Sequence, residues 1–164
     1  MILYLLFYVI YFNYRSVEAM HMLQQNLYNE NNRYIKWTKK NIDLQLDFDE
    51  FEIEANEELL KQVWINLIDN AVKFVPRCGT VELEVADIGD RLCVKISNTG
   101  SEIPPEKHEK IFNKFYQADE SHATQGNGIG LAIVKRIVEL HNGDVCVSSG
   151  NGMTAFTVTL PKRQ

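Results

Sequence analysis

The apolar positions of this chain keep to two spacings, and the places where one gives way to the other divide it into elements. Residues 16–36 (SVEAMHMLQQNLYNENNRYIK) put Val17, Met20, Leu23, Leu27 and Ile35 near helical spacing with polar residues between, which predicts a helix. Residues 41–48 (NIDLQLDF) switch to alternation, with Ile42, Leu44, Leu46 and Phe48 apolar, the pattern of a half-buried strand. FEIEA, at 51–55, reads as a short second one. Helical spacing returns after Asn56, where Leu60, Val63, Trp64, Leu67, Ile68, Ala71 and Val72 fall on one face. Asn56 is placed to cap that helix, Glu57 and Glu58 stand in its first turn near the positive dipole end, and Pro76 stops it after about Phe74.

Two alternating runs follow, TVELEVADIG (80–89) and DRLCVKISN (90–98), and Gly89 in the linker between them predicts a hairpin. After the Pro- and Gly-punctuated stretch TGSEIPPE (99–106), a short helical segment, EKHEKIFNKFYQ, is expected over 106–117. Residues 118–128 (ADESHATQGNG) are small and polar with no core pattern, as in a mobile loop. IGLAIVKRIVELH (129–141) is an amphipathic helix ended by Asn142 and Gly143. DVCVSS (144–149) and TAFTVTLP (154–161) close the chain as alternating strands. Strands outnumber helices, later strands are mostly joined by hairpins, and the helices have one apolar face. The expected fold is therefore of the α+β class, a two-layer α/β sandwich with a mixed sheet covered by helices on one face. The other face, with Glu82, Glu84, Lys95, Thr157 and Thr159, would be solvated.

Composition narrows the function more than the fold. The 164 residues suffice for one domain, and 45% hydrophobic with 24% charged residues is an ordinary globular balance. A formal net charge of −5 argues against a broad basic surface for nucleic acid, though not against a phosphate ligand held locally. Cys78, Cys93 and Cys146 are odd in number, far apart and without a Cys-x-x-Cys spacing, which fits small buried or half-buried hydrophobes in a reducing, cytoplasmic setting. Residues 1–15 stand apart from the domain expected over 16–164. Their first twelve residues, MILYLLFYVIYF, are uncharged but as a helix would span about 18 Å, short of the roughly 30 Å hydrocarbon core of a bilayer. A membrane-helix stump, part of a dimerising helix, or sequence left by truncation or an alternative start are the three readings.

The stretch NLIDNAVKF (66–74) is the first to suggest chemistry. At about 100° per residue, Asn66, Asn70 and Lys73 lie within a stripe of roughly 60°, opposite the apolar face. A solvated face would serve for an ordinary helix, but such faces favour Glu, Lys, Arg and Gln, and Asn is a poor interior helix former. Amide oxygens ligate hard divalent cations, and a lysine offsets phosphate charge. Gly126, Gly128 and Gly130 precede and open the second strong helix, where backbone N–H groups and the positive dipole end favour an anion. The surroundings match neither a dinucleotide fingerprint nor a P-loop, and a flexible hinge is the plain alternative.

Taken together, these stretches resemble the nucleotide-binding boxes of sensor histidine kinases. WINLIDNAVKF resembles the asparagine box, SNTGSEIP the first glycine box, KIFNKFYQAD the phenylalanine box, GNGIGLAIVKRIVELHNG the second glycine box, and GMTAFTVTLP the closing Gly-Thr-x-Phe segment. They occur in the family's order and cover about residues 17–162. The resemblance implies the ATP-binding catalytic domain, whose fold is shared with gyrase-type topoisomerases, a heat-shock chaperone and mismatch-repair ATPases. By position it implies that Asn66 ligates Mg²⁺ bridging the phosphates, that Asn70 hydrogen-bonds phosphate, and that Lys73 neutralises its charge. Phe74 would lie against the adenine, Ile103 and Leu131 would wall it, and Thr154 would help to hold it. Residues 118–128 would form the ATP lid, with Gln125 near the metal and phosphates and Gly126, Gly128 and Gly130 giving backbone contacts.

This chain departs from the pattern in three places. Where the first glycine box usually reads Asp-x-Gly-x-Gly, it has Asn98, Thr99, Gly100, Ser101 and Glu102. An asparagine keeps an acceptor for the adenine amino group but loses the charge, worth about 1 kcal/mol. Glu102 is expected to face outward. Arginines often found in the phenylalanine box and lid are Gln117 and His122 here, which removes cationic help for the γ-phosphate. His21, in EAMHML, resembles nothing in the phosphoacceptor box, so the chain has the ATP-binding half without the helical hairpin it would phosphorylate. The resulting expectation is a kinase domain that binds Mg-ATP and donates the γ-phosphate to a histidine on a separate dimerisation and phosphoacceptor hairpin, with a response regulator served indirectly. No nucleic-acid partner is expected, and a membrane is involved only through a missing or truncated N-terminal part. The alternative is an ATP-dependent docking module without phosphotransfer; a stand-alone serine kinase of the anti-sigma-factor type is disfavoured by the phenylalanine box.

Overall fold

A computed structural model describes residues 40–48, 53–116 and 128–163. The helix expected over 16–36 and the segment 1–15 lie outside the described residues. The order of elements is strand β1 (Asp43–Phe48), helix α1 (Glu57–Phe74), strands β2 (Thr80–Ile88) and β3 (Arg91–Thr99), helix α2 (Gly130–Leu140), and strands β4 (Asp144–Gly150) and β5 (Met153–Pro161). The five strands form one sheet in the order β1-β2-β3-β5-β4. β1 is parallel to β2 and the other neighbours are antiparallel, so the sheet is mixed, as expected.

Period-two alternation decides which strand residues face the helices. Val81, Leu83 and Val85 of β2, Leu92, Val94 and Ile96 of β3, and Phe156, Val158 and Leu160 of β5 are buried together with the apolar face of α1 and with Val134, Ile137 and Val138 of α2. Trp64 is fully buried and is the largest side chain at the centre of this layer. Each such large apolar side chain contributes about 1.5–3 kcal/mol by leaving water. On the opposite face Lys95 pairs with Glu84 across the β2–β3 ladder at 3.0 Å.

The two helices are tied end to end at one side of the layer. Asn56 caps α1 through its side chain, which accepts from Leu59 N at 3.1 Å. Its backbone N–H donates to Nε2 of buried His141, just beyond α2, at 3.2 Å. The other ring nitrogen of His141 lies 2.8 Å from the Ile137 carbonyl. An Nε2 that accepts fixes the proton on Nδ1, which donates to that carbonyl. His141 is thus a structural clasp.

Three local expectations are revised. Cys78 and Cys146 are exposed and only Cys93 is half-buried, because the first lies in the turn after α1 and the last on the outer face of the edge strand β4. Residues 53–56 are irregular and not a strand; Glu54 N donates to Lys162 O at 2.8 Å. The helical segment expected over 106–117 is a pair of 3-10 turns, Pro105–Lys107 and Lys110–Phe112. The segment is too short to repay α-helix nucleation. Its apolar residues anchor it instead, since Ile111 and Phe112 are buried and the Phe112 ring meets Phe156 edge-on at 6.4 Å.

Candidate functional site

Along most of its length the inner face of the sheet is apolar, but in β3, β5 and β4 its last cross-strand row is polar. Asn98 of β3 pairs with Thr154 of β5, and Thr154 with Ser149 of β4. Asn98 and Thr154 are buried, at 3% and 4% exposure. Thr154 Oγ1 lies 2.7 Å from Ser149 Oγ and donates to Ser101 O at 3.3 Å. Ser149 Oγ in turn accepts from Ile103 N at 2.9 Å, while His108 Nε2 lies 2.9 Å from Ile103 O. The Ile103 backbone is therefore held at both its N–H and its carbonyl. Neither Ser149 nor His108 stood out in the sequence, because a serine in a strand and a histidine in a loop have no special spacing.

Asn98 donates through Nδ2 to Thr99 O at 3.0 Å, a bond that an aspartate could not make. Its carbonyl oxygen remains the acceptor that the side chain can offer. The loop 100–104 is fastened to the β4–β5 turn twice more: Gly100 N donates to Gly152 O at 2.9 Å, and Glu102 accepts from Gly152 N at 2.6 Å. Glu102 thus clasps a neighbouring turn while staying solvent-exposed. Gly100 has φ +141°, and a Cβ there would stand 2.7 Å from Phe74 O, so this position admits only glycine without movement.

The polar stripe of α1 meets the start of α2. Asn66, Asn70 and Lys73 are half-buried, and the opposite side of the helix is the buried one. Asn66 Nδ2 donates to Gln62 O at 2.8 Å, which orients its Oδ1. A Cβ on Gly130, the first residue of α2, would come within 2.8 Å of that oxygen, so Gly130 is what lets the helices approach here. Ile129, at the N-cap of α2, supplies no side-chain cap, and the first N–H groups of a helix lack intrahelical partners. Gly128, at φ +61°, packs against the Phe115 backbone and accepts from Phe115 N at 2.8 Å. Lys73 Nζ lies 4.9 Å from the centre of the Phe74 ring, which is 45% exposed. Leu131 and Ile103 are half-buried against the core.

Gln117, His122, Gln125 and Gly126 lie outside the described residues. Among the described residues no group of three or more His, Cys, Asp or Glu is placed to hold a metal. A divalent cation here would rest on one amide oxygen, with ligand phosphates and water completing the set. Mg²⁺ is commonly bound with few protein ligands in this way, so the residues present fit it.

Residues 55–164 match the family described as histidine kinase-, DNA gyrase B- and HSP90-like ATPases. The chain belongs to this family. Its relatives are sensor kinases: it is 43% identical over 126 residues to the circadian input-output histidine kinase CikA of Synechococcus elongatus, and 34% identical over 124 residues to the heme sensor protein HssS of Staphylococcus aureus. These alignments take in 74% and 75% of this chain but only 17% and 27% of the relatives' lengths. Among solved structures, the catalytic domain of histidine kinase ThkA superposes with a TM-score of 0.71 at 32% identity, covering 79% of this chain and 84% of that one. The mycobacterial sensor histidine kinase MprB gives a TM-score of 0.71 at 26% identity, over 79% of this chain and 90% of that one. The fold and the family are thus those of a histidine-kinase-type ATPase domain.

Proposed function

We propose that this domain binds Mg-ATP in the groove between α1, α2 and the polar end of the sheet, and donates the γ-phosphate to a histidine on a dimerisation and phosphoacceptor hairpin. The observation that carries the reading is the meeting of Asn66 Oδ1 with Gly130, which puts an oriented amide oxygen beside an uncapped helix N-terminus. Asn66 would hold Mg²⁺, which when bound supplies charge neutralisation to the phosphates. Asn70 and Lys73 would meet the phosphates from α1, and the backbone of Gly126, Gly128 and Gly130 from the start of α2, with Gln125 beside them. Asn98 would accept from the adenine amino group, with Thr154 beside it. Ile103, Leu131 and Phe74 would enclose the base, and Gly100 would keep the loop close to α1.

Transfer in such a site rests on positioning and on charge neutralisation. The base that assists the acceptor histidine would come from the hairpin, and a response regulator would receive the phosphoryl group from that histidine. The structure of ThkA in complex with the response regulator protein TrrA is a complex of that kind among the structural neighbours, at 29% identity and a TM-score of 0.67 over 87% of this chain and 40% of that one. A setting at the cytoplasmic face of a membrane-anchored kinase fits this role, with any membrane contact made by residues before 16. Among the described residues, no helix is long and apolar enough to cross a membrane.

The test is to mix the chain with a separately supplied cognate hairpin and labelled ATP, beside calorimetry of ATP with and without Mg²⁺. Labelled phosphohistidine is expected. Nucleotide binding without label on any acceptor would leave the docking-module reading, for which the altered residues at Asn98, Gln117 and His122 are the motive.

A further inference from the structure

The C-terminal end of α1 carries Lys73 and Phe74, and its backbone is short of one donor. The last four carbonyls of an α-helix have no partner inside it. Here Ala71 O is taken by Val75 N at 2.9 Å. The next N–H in the series, the one that would serve Val72 O, belongs to residue 76, a proline, which has none. A residue distant in sequence fills the gap. Lys40 Nζ donates to Val72 O at 2.9 Å, to Lys73 O at 2.8 Å and to Val75 O at 2.7 Å.

The lysine is itself held in place. Cys78 N donates to Lys40 O at 2.7 Å, and Asp43 N donates to Gly79 O at 2.9 Å, so residues 40–43 are fastened to the connection that follows α1. A cation at this end also meets the negative pole of the helix dipole. On the other side of the same turn, Phe74 O is pressed against Gly100. The final turn of α1 is thus clamped between an ammonium group and the loop 100–104.

We propose that Lys40 is a positioning residue of the nucleotide site: it stands in for the missing N–H of Pro76 and so fixes the turn from which Lys73 reaches the phosphates. Lys40 lies ahead of residues 55–164, the part that matches the ATPase family. Its contacts fall on the end of the helix. Asn66 and Asn70 stand before the carbonyls that Lys40 takes, whereas Lys73 and Phe74 stand on the turn where buried Val72 and Val75 hold the apolar side and Lys40 meets the carbonyls. The inference rests on the nucleotide-binding reading above.

Calorimetric titration of Mg-ATP into the whole chain tests it, with thermal melting of each apo variant as the control and all affinities read well below Tm. Lys40→Met is expected to raise Kd about 10-fold, and Lys40→Arg, which keeps the charge and the donors, to recover most of that. In a Lys73→Ala background the effect of Lys40→Met should shrink below about 2-fold, because the two residues act in series. Should Lys40→Met not fold, Lys40→Gln is the variant read, with an expected rise of about 3-fold. A Kd within about 2-fold of the wild type in the variant read overturns the proposal. So does an undiminished effect of the substitution in the Lys73→Ala background, the result of a general loosening of the domain. A wild-type chain that binds no Mg-ATP would defeat the functional reading first, and is told apart by being seen before any substitution is made.

Discussion

The two ends of the candidate groove are built by different means. At the end proposed for the phosphates the groups are Asn66, Asn70 and Lys73 on one helix, with Asn66 brought against the start of another by the absence of a side chain at Gly130. At the base end they are strand and loop residues whose places are set by a chain of hydrogen bonds running from Thr154 through Ser149 to Ile103. The first arrangement depends on helical periodicity and on one glycine. The second depends on register across three strands. Damage to each should therefore read out differently: the phosphate end through metal-dependent affinity, the base end through affinity for any adenine nucleotide and through stability.

Asn66→Ala should have the largest effect. It removes the amide oxygen expected to meet Mg²⁺, and the Kd for Mg-ATP should rise by about 100-fold or more while adenosine binding is unchanged. An equal loss for adenosine, measured by calorimetry, would erase the proposed division. Gly130→Ala should come next, with about a 10-fold loss of Mg-ATP affinity and little change in melting temperature. The new methyl group would displace Asn66 Oδ1 and nothing in the core; a large fall in Tm would show instead that Gly130 serves packing.

At the base end, Ser149→Ala leaves the Ile103 N–H without its acceptor and Thr154 without its neighbour. A stability loss of about 1–3 kcal/mol in denaturant unfolding is expected, with ATP, ADP and adenosine weakened alike and no dependence on Mg²⁺. Selective loss of Mg-ATP binding would contradict the comparison. The smallest effect lies outside both ends, at the β2–β3 turn. Asp87, paired with Lys162, has its carboxyl held below the usual carboxylate value of 3.8 by that hydrogen bond. A carboxylate with a lowered folded-state pKa stabilises the fold above its unfolded pKa, and the contribution is lost as pH falls through the folded value. Asp87→Asn should therefore flatten the pH dependence of Tm slightly below about pH 4, leaving nucleotide affinity at pH 7 unchanged; an altered affinity would tie this turn to the site.

Much of the architecture behind the proposed phosphate end was legible in the chain. The asparagine stripe of α1, its cap at Asn56 and the amphipathic α2 each follow from spacings of three or four residues, and the strands from alternation. Helix and strand periods are local, so a single stretch suffices to reveal them. The two 3-10 turns were not legible, because Ile111 and Phe112 carry an apolar pattern that suits a helix and only the Phe156 ring opposite shows that they are anchors. Glu102 was read as outward-facing, and it is exposed, but its bond to Gly152 N depends on where the β4–β5 turn comes to rest.

Pro76 shows where the division falls. That a helix must stop before it follows from the sequence alone, since the ring removes the N–H and restricts the residue ahead of it. Which group then meets the carbonyls left over does not follow. The answer, Lys40, is more than thirty residues away from each of them, as Ser149 is from Ile103 and His141 from Asn56. The elements, the buried faces and the family's boxes can be read from the chain, because those depend on neighbours along it. How helix ends and loop peptides are satisfied depends on the folded packing, because a buried polar group takes whatever partner the packed layers bring within reach.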